Sequence, residues 1–212
     1  MESETNYFAQ LTSLVGIRAI VLCSLLTREQ GICQLTTFRK LVKASAKSVI
    51  KDRPALYPLP EPDDDARNAA LKSFGHKSGV IFPHSTAGVP NLATPFEAKA
   101  GITVIQDVIK KRKTLFAKLL PSFPYKLNRH SGAREYEVPY AVVALVYTTI
   151  YRVLEVKMLG EKAAGPFSAA GYAGTYDVFI ADMEKLANEP GEHTHKLFYE
   201  LYGRVLYVPL AR

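Results

Sequence analysis

From Tyr140 to Leu159 the chain reads YAVVALVYTTIYRVLEVKML, an apolar run without glycine or proline in which only Arg152, Glu155 and Lys157 carry charge. Its valine, isoleucine, threonine and tyrosine favour pleated strands. Length argues the other way, because strands rarely pass about ten residues and nothing in this run turns the chain. The run therefore predicts a helix, with Pro139 suited to its first turn and Gly160 to its end. Val142, Val143, Leu145, Val146, Ile150, Val153, Leu154 and Met158 leave it little polar face, so it must be buried on most sides. A helix of that kind requires other helices around it.

Helix punctuation on both sides supplies them. Ser168 can cap a helix in which Tyr172, Tyr176, Phe179, Ile180, Met183 and Leu186 share a face, ending at Pro190-Gly191. A last helix follows from Thr194 to Leu206 through Leu197, Leu201 and Val205. Upstream, Thr36-Thr37 precedes FRKLVKASAKSVIKDR, where Phe38, Leu41, Val42, Ser45, Val49 and Ile50 form a core face. Pro54, Pro58, Pro60 and Pro62 break that pattern, and Asp63 to Asp65 can start a short helix ending near Phe74-Gly75. Thr94-Pro95-Phe96-Glu97 combines a capping box with a proline at the first helical position, so a long helix is expected from there to Pro121. Residues 75–91 and 122–137 read as irregular loops. The expectation is an all-α fold, a single globular domain over residues 1–212 with about six or seven helices and two long irregular loops.

Composition agrees with a folded, globular chain: 48% of the 212 residues are hydrophobic and 22% charged, which suits neither disorder nor a membrane bundle. Leu11 to Leu26 is apolar but falls short of the roughly 20 residues needed to span hydrocarbon. Arg18 at its centre makes a buried core helix the better reading. Cys23 and Cys33 lack CxxC spacing and a neighbouring histidine pair, as expected of reduced thiols. The beginning, MESETNYF, has no cationic secretory region. An intracellular location, cytoplasmic or nuclear, is expected, with no membrane partner.

Pro139, Ala144, Leu145, Thr148 and Ile150, followed by Gly160, Phe167, Tyr172, Tyr176 and Leu186, form an ordered set of motif positions. In this order they resemble an uncharacterised all-helical domain family of basidiomycete fungi. The resemblance is strongest over 138–188 and extends roughly over 30–200. Upstream, FRKLVKASAKSVI looks like that family's basic helix preceding a tyrosine, here Tyr57, and TPFEAKAGITVIQDVIKKRKTLF looks like its following helix. The chain departs from the pattern at Ala141-Val142-Val143 and in its Gly/Ala-rich 163–174 stretch. The resemblance implies a helical fold and a fungal source; it implies no catalytic residue.

Catalytic signatures are weak. Ser48-Val49-Ile50-Lys51 matches the SxxK spacing of an amine-activated hydroxyl but lacks the partner motifs of such enzymes. His193 and His195, two apart at a helix start, diverge and have no carboxylate cluster at metal-ligand spacing. His84 and His130 stand beside Ser85 and Ser131 in the loops, without the strained turn that exposes a nucleophile. No phosphate-binding glycine loop occurs. No catalytic residue, metal or cofactor is assigned, and a hydrolase-like enzyme using a loop histidine is the least favoured reading.

Charge is more informative. The formal net charge is +7. Much of it lies in two clusters: Arg39, Lys40, Lys43, Lys47 and Lys51, continuing to Arg53, and Lys110, Lys111, Arg112 and Lys113. A basic face of this kind attracts nucleic acid or another anionic partner through phosphate neutralisation. No helix-turn-helix or zinc-finger signature suggests base reading. Lys110 to Lys113 also fits a minimal nuclear-import tetrapeptide. The expected function is a non-catalytic binding module for an anionic partner, non-specific if that partner is nucleic acid. The alternative is a protein-interaction or self-association module using Tyr172, Tyr176, Tyr199, Tyr202 and Tyr207, since tyrosine suits interfaces.

Overall fold

The computed structural model describes residues 28–53, 56, 77–82, 91, 95–111, 123–128, 130–165, 167–188 and 193–206. The apolar Leu11–Leu26 segment, Cys23, Tyr57, the acidic start at Asp63 to Asp65, His84 and Arg112 to Pro121 lie outside the described residues. Within them the order is α1 (Arg28–Asp52), a 3-10 turn (Lys77–Ile81), α2 (Lys99–Lys111), β1 (Tyr125–Leu127), β2 (Arg134–Tyr136), α3 (Tyr140–Leu159), the short α4 (Glu161–Ala164), α5 (Ala169–Asn188) and α6 (His193–Leu206). The fold is predominantly helical, as the sequence implies.

The long apolar run is indeed a helix, and it sits in the middle. α3 packs against α1, α2, α4, α5 and the 3-10 turn. Val143, Ala144, Tyr147, Ile150 and Leu154 are essentially inaccessible to solvent. They meet Val42, Ala46 and Ile50 of α1, Val104, Ile105 and Val108 of α2, Phe179 and Met183 of α5, and Phe198 and Leu201 of α6 in one core cluster. Each such side chain contributes roughly 1.5–3 kcal/mol when taken from water. The hydroxyls of Thr148 and Thr149 donate to the Ala144 and Leu145 carbonyls, both at 2.7 Å, so these two buried hydroxyls are satisfied within α3.

Helix boundaries follow punctuation where little tertiary contact competes. Pro139 immediately precedes α3, and Gly160, with φ of 84°, ends it by donating its N–H to the Val156 carbonyl. Ser168 caps α5 through the Gly171 N–H at 3.1 Å. Pro54 follows the end of α1 by two positions.

Three local expectations are corrected. α1 begins at Arg28, eight residues before Thr36-Thr37, so these threonines are helix interior and cap nothing. Threonine is only mildly unfavourable inside a helix, and packing of the following turns decides.

Second, the Thr94–Glu97 capping box does not start α2. Pro95 and Phe96 form a turn, and the helix begins at Lys99. Phe96 adopts φ of 62°, which is costly for a residue with a Cβ. Burial outweighs that cost: Phe96 is 1% exposed, its ring lies 5.7 Å from Tyr147 and 6.2 Å from Phe198, and its carbonyl accepts the Tyr147 hydroxyl at 2.9 Å.

Third, the supposed irregular stretch 122–137 contains a hairpin. Tyr125 faces Tyr136, Lys126 faces Glu135, and Leu127 faces Arg134. Asn128 builds the turn, its side-chain oxygen accepting the N–H groups of His130 and Ser131, both at 2.9 Å, with Gly132 at φ of 68°. In the other loop the 3-10 turn buries Val80 and Ile81.

Candidate functional site

Two arrangements carry charge: a basic stripe on α1 and an acid–imidazole cluster where the hairpin meets α6. On α1, Lys40, Ala44, Lys47, Ser48 and Lys51 are exposed, positions that recur at helical spacing along one stripe. Among the described residues Lys40, Lys47 and Lys51 make no ion pair. The other basic residues of the segment are tied into the fold. The Lys43 ammonium lies 5.9 Å from the Phe167 ring centroid. Arg39 is half-buried, with its charge near the Tyr176 hydroxyl. Arg53 donates weakly to the Thr103 hydroxyl at 3.5 Å.

The second basic segment lies on the neighbouring helix. Ser45 donates to Asp107 at 2.6 Å, and Arg53 meets Thr103 further along, so α1 and α2 run antiparallel. That register sets Lys111 level with Leu41, beside the N-terminal half of the stripe. Lys110 and Lys111 are both exposed. Lys111 pairs with Asp107 at 2.7 Å, which leaves its charge partly neutralised. Burial would raise the Asp107 carboxyl, but hydrogen bonds from Lys111 and Ser45 outweigh it and hold the group below the usual carboxylate range. Arg112 and Lys113 lie outside the described residues.

The second arrangement was not anticipated. His195, 7% exposed, stands between two carboxylates of the hairpin segment: Nδ1 is 2.5 Å from Glu137 and Nε2 is 2.8 Å from Glu135. Asn128 donates to the other oxygen of Glu135 at 2.6 Å, and Tyr199 stacks on the imidazole with ring centroids 6.0 Å apart. Burial alone would depress the imidazole pKa, but hydrogen bonds to Glu135 and Glu137 outweigh it and raise the value. Hydrogen bonds from Asn128 and His195 lower that of Glu135. When both carboxylates are ionised they can only accept, and the ring then donates from both nitrogens as an imidazolium. With both nitrogens engaged inside the fold, the ring presents no free nitrogen to a substrate. The two carboxylates also lie on opposite edges of it and cannot converge on one cation. No group of three His, Cys, Asp or Glu among the described residues is placed to hold a metal ion.

A sequence signal for this cluster existed: Glu135 and Glu137, two apart across the end of a strand, are positioned by an Asn-to-Gly turn. Treating 122–137 as irregular concealed it. The other catalytic candidates do not assemble where they are described. Ser48 donates to Asp52 at 2.8 Å while Lys51 points to solvent, so the SxxK pair does not meet. His130 and Ser131 sit exposed at the hairpin tip, where the Ser131 hydroxyl accepts the Ala133 N–H at 3.3 Å.

Of the five candidate interface tyrosines, Tyr172 and Tyr176 are buried. Tyr172 donates to Glu155, and its ring covers Arg152 at 5.7 Å from the guanidinium carbon. Burial, then the Glu155 carboxylate, raises the Tyr172 pKa. Tyr202 is half-buried and stacks on Tyr136 at 5.7 Å. Tyr199 is 41% exposed, and Tyr207 lies outside the described residues.

No helix among the described residues is long and apolar enough to cross a membrane. No curated protein and no solved structure matches the chain. A family model does match, over residues 20–186, which takes in α1 to α5, the hairpin and most of the basic residues of interest. The chain belongs to the DUF6532 family, a domain of unknown function.

Proposed function

We propose that this chain is a single-domain, non-catalytic binding module whose α1 face docks an anionic partner, nucleic acid in particular. The observation behind the reading is the stripe of Lys40, Lys47 and Lys51, exposed and without ion pairs among the described residues. Lys40 to Lys51 spans about 17 Å at the helical rise of 1.5 Å per residue, long enough to follow several phosphates. Lys110 on the adjacent antiparallel helix extends the field, as Lys111 does to a lesser degree. Exposed lysines without aromatic neighbours on the stripe favour backbone attraction over base reading. A basidiomycete source and a cytoplasmic or nuclear location belong to the same reading, with Lys110 to Lys113 as the import signal in the nuclear case.

The test is retention on heparin and anisotropy with a random-sequence duplex. Wild-type binding should weaken with salt at a log–log slope of about −3, for three phosphate contacts at about −0.9 each. The Lys40→Glu, Lys47→Glu, Lys51→Glu variant should lose retention while eluting unchanged on sizing. Equal binding by wild type and variant would end the proposal.

One observation favours a second reading, a protein-interaction surface. Tyr125, Leu127 and Tyr199, on the hairpin and α6, are 44%, 62% and 41% exposed. Light scattering that shows a dimer lost in a Leu127→Ser, Tyr199→Ser variant, with duplex binding unchanged, would select it.

A further inference from the structure

The polar side-chain contacts that join the hairpin to α6 are made by groups that titrate. β1 and β2 are three residues each, and a two-stranded ribbon this short is marginal alone. Among the described residues its contacts with α6 include the His195 bonds to Glu135 and Glu137, the stack of Tyr136 on Tyr202, the edge contact of Phe123 with Tyr202 at 6.3 Å, and the Val138 N–H to the Phe198 carbonyl at 3.4 Å. We infer that the hairpin is a proton-held latch on α6, closed while His195 donates from both ring nitrogens to Glu135 and Glu137, and released when His195 loses one of those protons or Glu135 gains one.

The charge accounting is local. Glu135 and Glu137 face the ring from β2 and its continuation, Lys126 opposes it from β1, and Tyr199 covers it from α6 itself. A neutral imidazole can donate through one nitrogen only. Deprotonation therefore turns one carboxylate contact from a donor–acceptor pair into two facing lone pairs. It also leaves the Glu135 carboxylate beside a buried neutral ring, with the Lys126 charge and the Asn128 amide as described groups that favour it.

The signs are fixed by direction. His195 is raised in the closed state, so its contribution is complete below the free-histidine value, about 6.5. It then falls about tenfold per pH unit until the closed-state value is passed. Glu135 is lowered, so its contribution is complete above the free value and disappears as pH falls through the closed-state one. Closure is favoured between the two.

The experiment combines an NMR titration of the His195 ring with hydrogen exchange of the hairpin amides, corrected for intrinsic rates, in the full chain from pH 5.5 to 10. The His195 midpoint should lie above 6.5. Protection at Asn128, Gly132 and Glu137 should fall between pH 6.5 and that midpoint, about tenfold for each unit by which the midpoint exceeds 6.5, and level off above it, while α3 amides hold theirs. His195→Gln, which keeps one donor and cannot titrate, should abolish the step. Should that variant fail to fold, Glu135→Gln should move the midpoint down. A midpoint at or below 6.5, protection that does not change between pH 6.5 and the midpoint, or the same step in His195→Gln would each overturn the latch.

Discussion

Gly101 offers the sharpest test of how the central helix is seated. It lies in the first turns of α2 with its backbone against the ring of Tyr147. A Cβ built there would stand 2.9 Å from Tyr147 Cε1 and closer still to Cζ and the hydroxyl oxygen. Two effects oppose each other in Gly101→Ala. Helix propensity gains about 1 kcal/mol. Against it, the ring must retreat within a packed core, at about 1–3 kcal/mol for the overpacking. Its hydroxyl, which donates to the Phe96 carbonyl at 2.9 Å, must lose or stretch a buried bond, at a further 1–3 kcal/mol. The net expectation is destabilisation by about 1–5 kcal/mol, a fall in Tm of about 2–20 °C for a chain of this size. Urea and thermal unfolding followed by circular dichroism measure it. Combining Gly101→Ala with Tyr147→Leu should give a double variant more stable than the sum of the singles, because the clash then has a shared relief. A Gly101→Ala protein as stable as wild type would refute the argument, since it would mean the ring does not fill that space.

Other outcomes can be read from the same structure. Arg152 is 3% exposed, and its Nε and Nη1 find no hydrogen-bond partner among the described residues, although Nη2 donates to the Gly165 carbonyl and Nη1 lies 3.8 Å from Glu155. Arg152→Met should be neutral or stabilising in urea unfolding, whereas Glu155→Ala, which strands a buried cation, should cost about 3 kcal/mol. Phe198→Ala removes a fully buried ring at the junction of Phe96 and Tyr140 and should cost about 3–5 kcal/mol, measurable as a lower urea midpoint. Asp107, held below the usual carboxylate range, should lose its contribution as pH falls through its folded value. Asp107→Asn should therefore flatten the acid limb of the stability profile.

Legibility in the sequence tracked whether a feature was local. The α3 run, Pro139, Gly160 and the Ser168 cap concern neighbours within a turn or two, and each appears where the sequence indicates. Phe96 shows the opposite case: a capping box with proline at its first helical position is overruled by two aromatic contacts from α3 and α6 that no local pattern contains. His195 is the clearest example. Its partners are 58 and 60 residues away in the chain, so its neighbours Thr194 and Lys196 give no hint of them. The basic residues were legible as clusters, but their separation into the exposed Lys40, Lys47 and Lys51 and the engaged Arg39 and Lys43 depended on Tyr176 and Phe167, contributed by later parts of the chain.

That same separation in the chain has a consequence for synthesis. Glu135 and Glu137 leave the ribosome about 60 residues before His195, an interval of roughly 3–12 s at 5–20 residues per second. During it the strand end bears two nearby like charges with no cation from α6 between them, and Tyr136 has no Tyr202 to stack upon. The nascent chain can assemble α1, α2 and α3 in that time, but the hairpin still lacks its partners on α6. Its capture is therefore among the last events of folding, and a nascent chain halted before α6 would display it to whatever chaperone attends the exit.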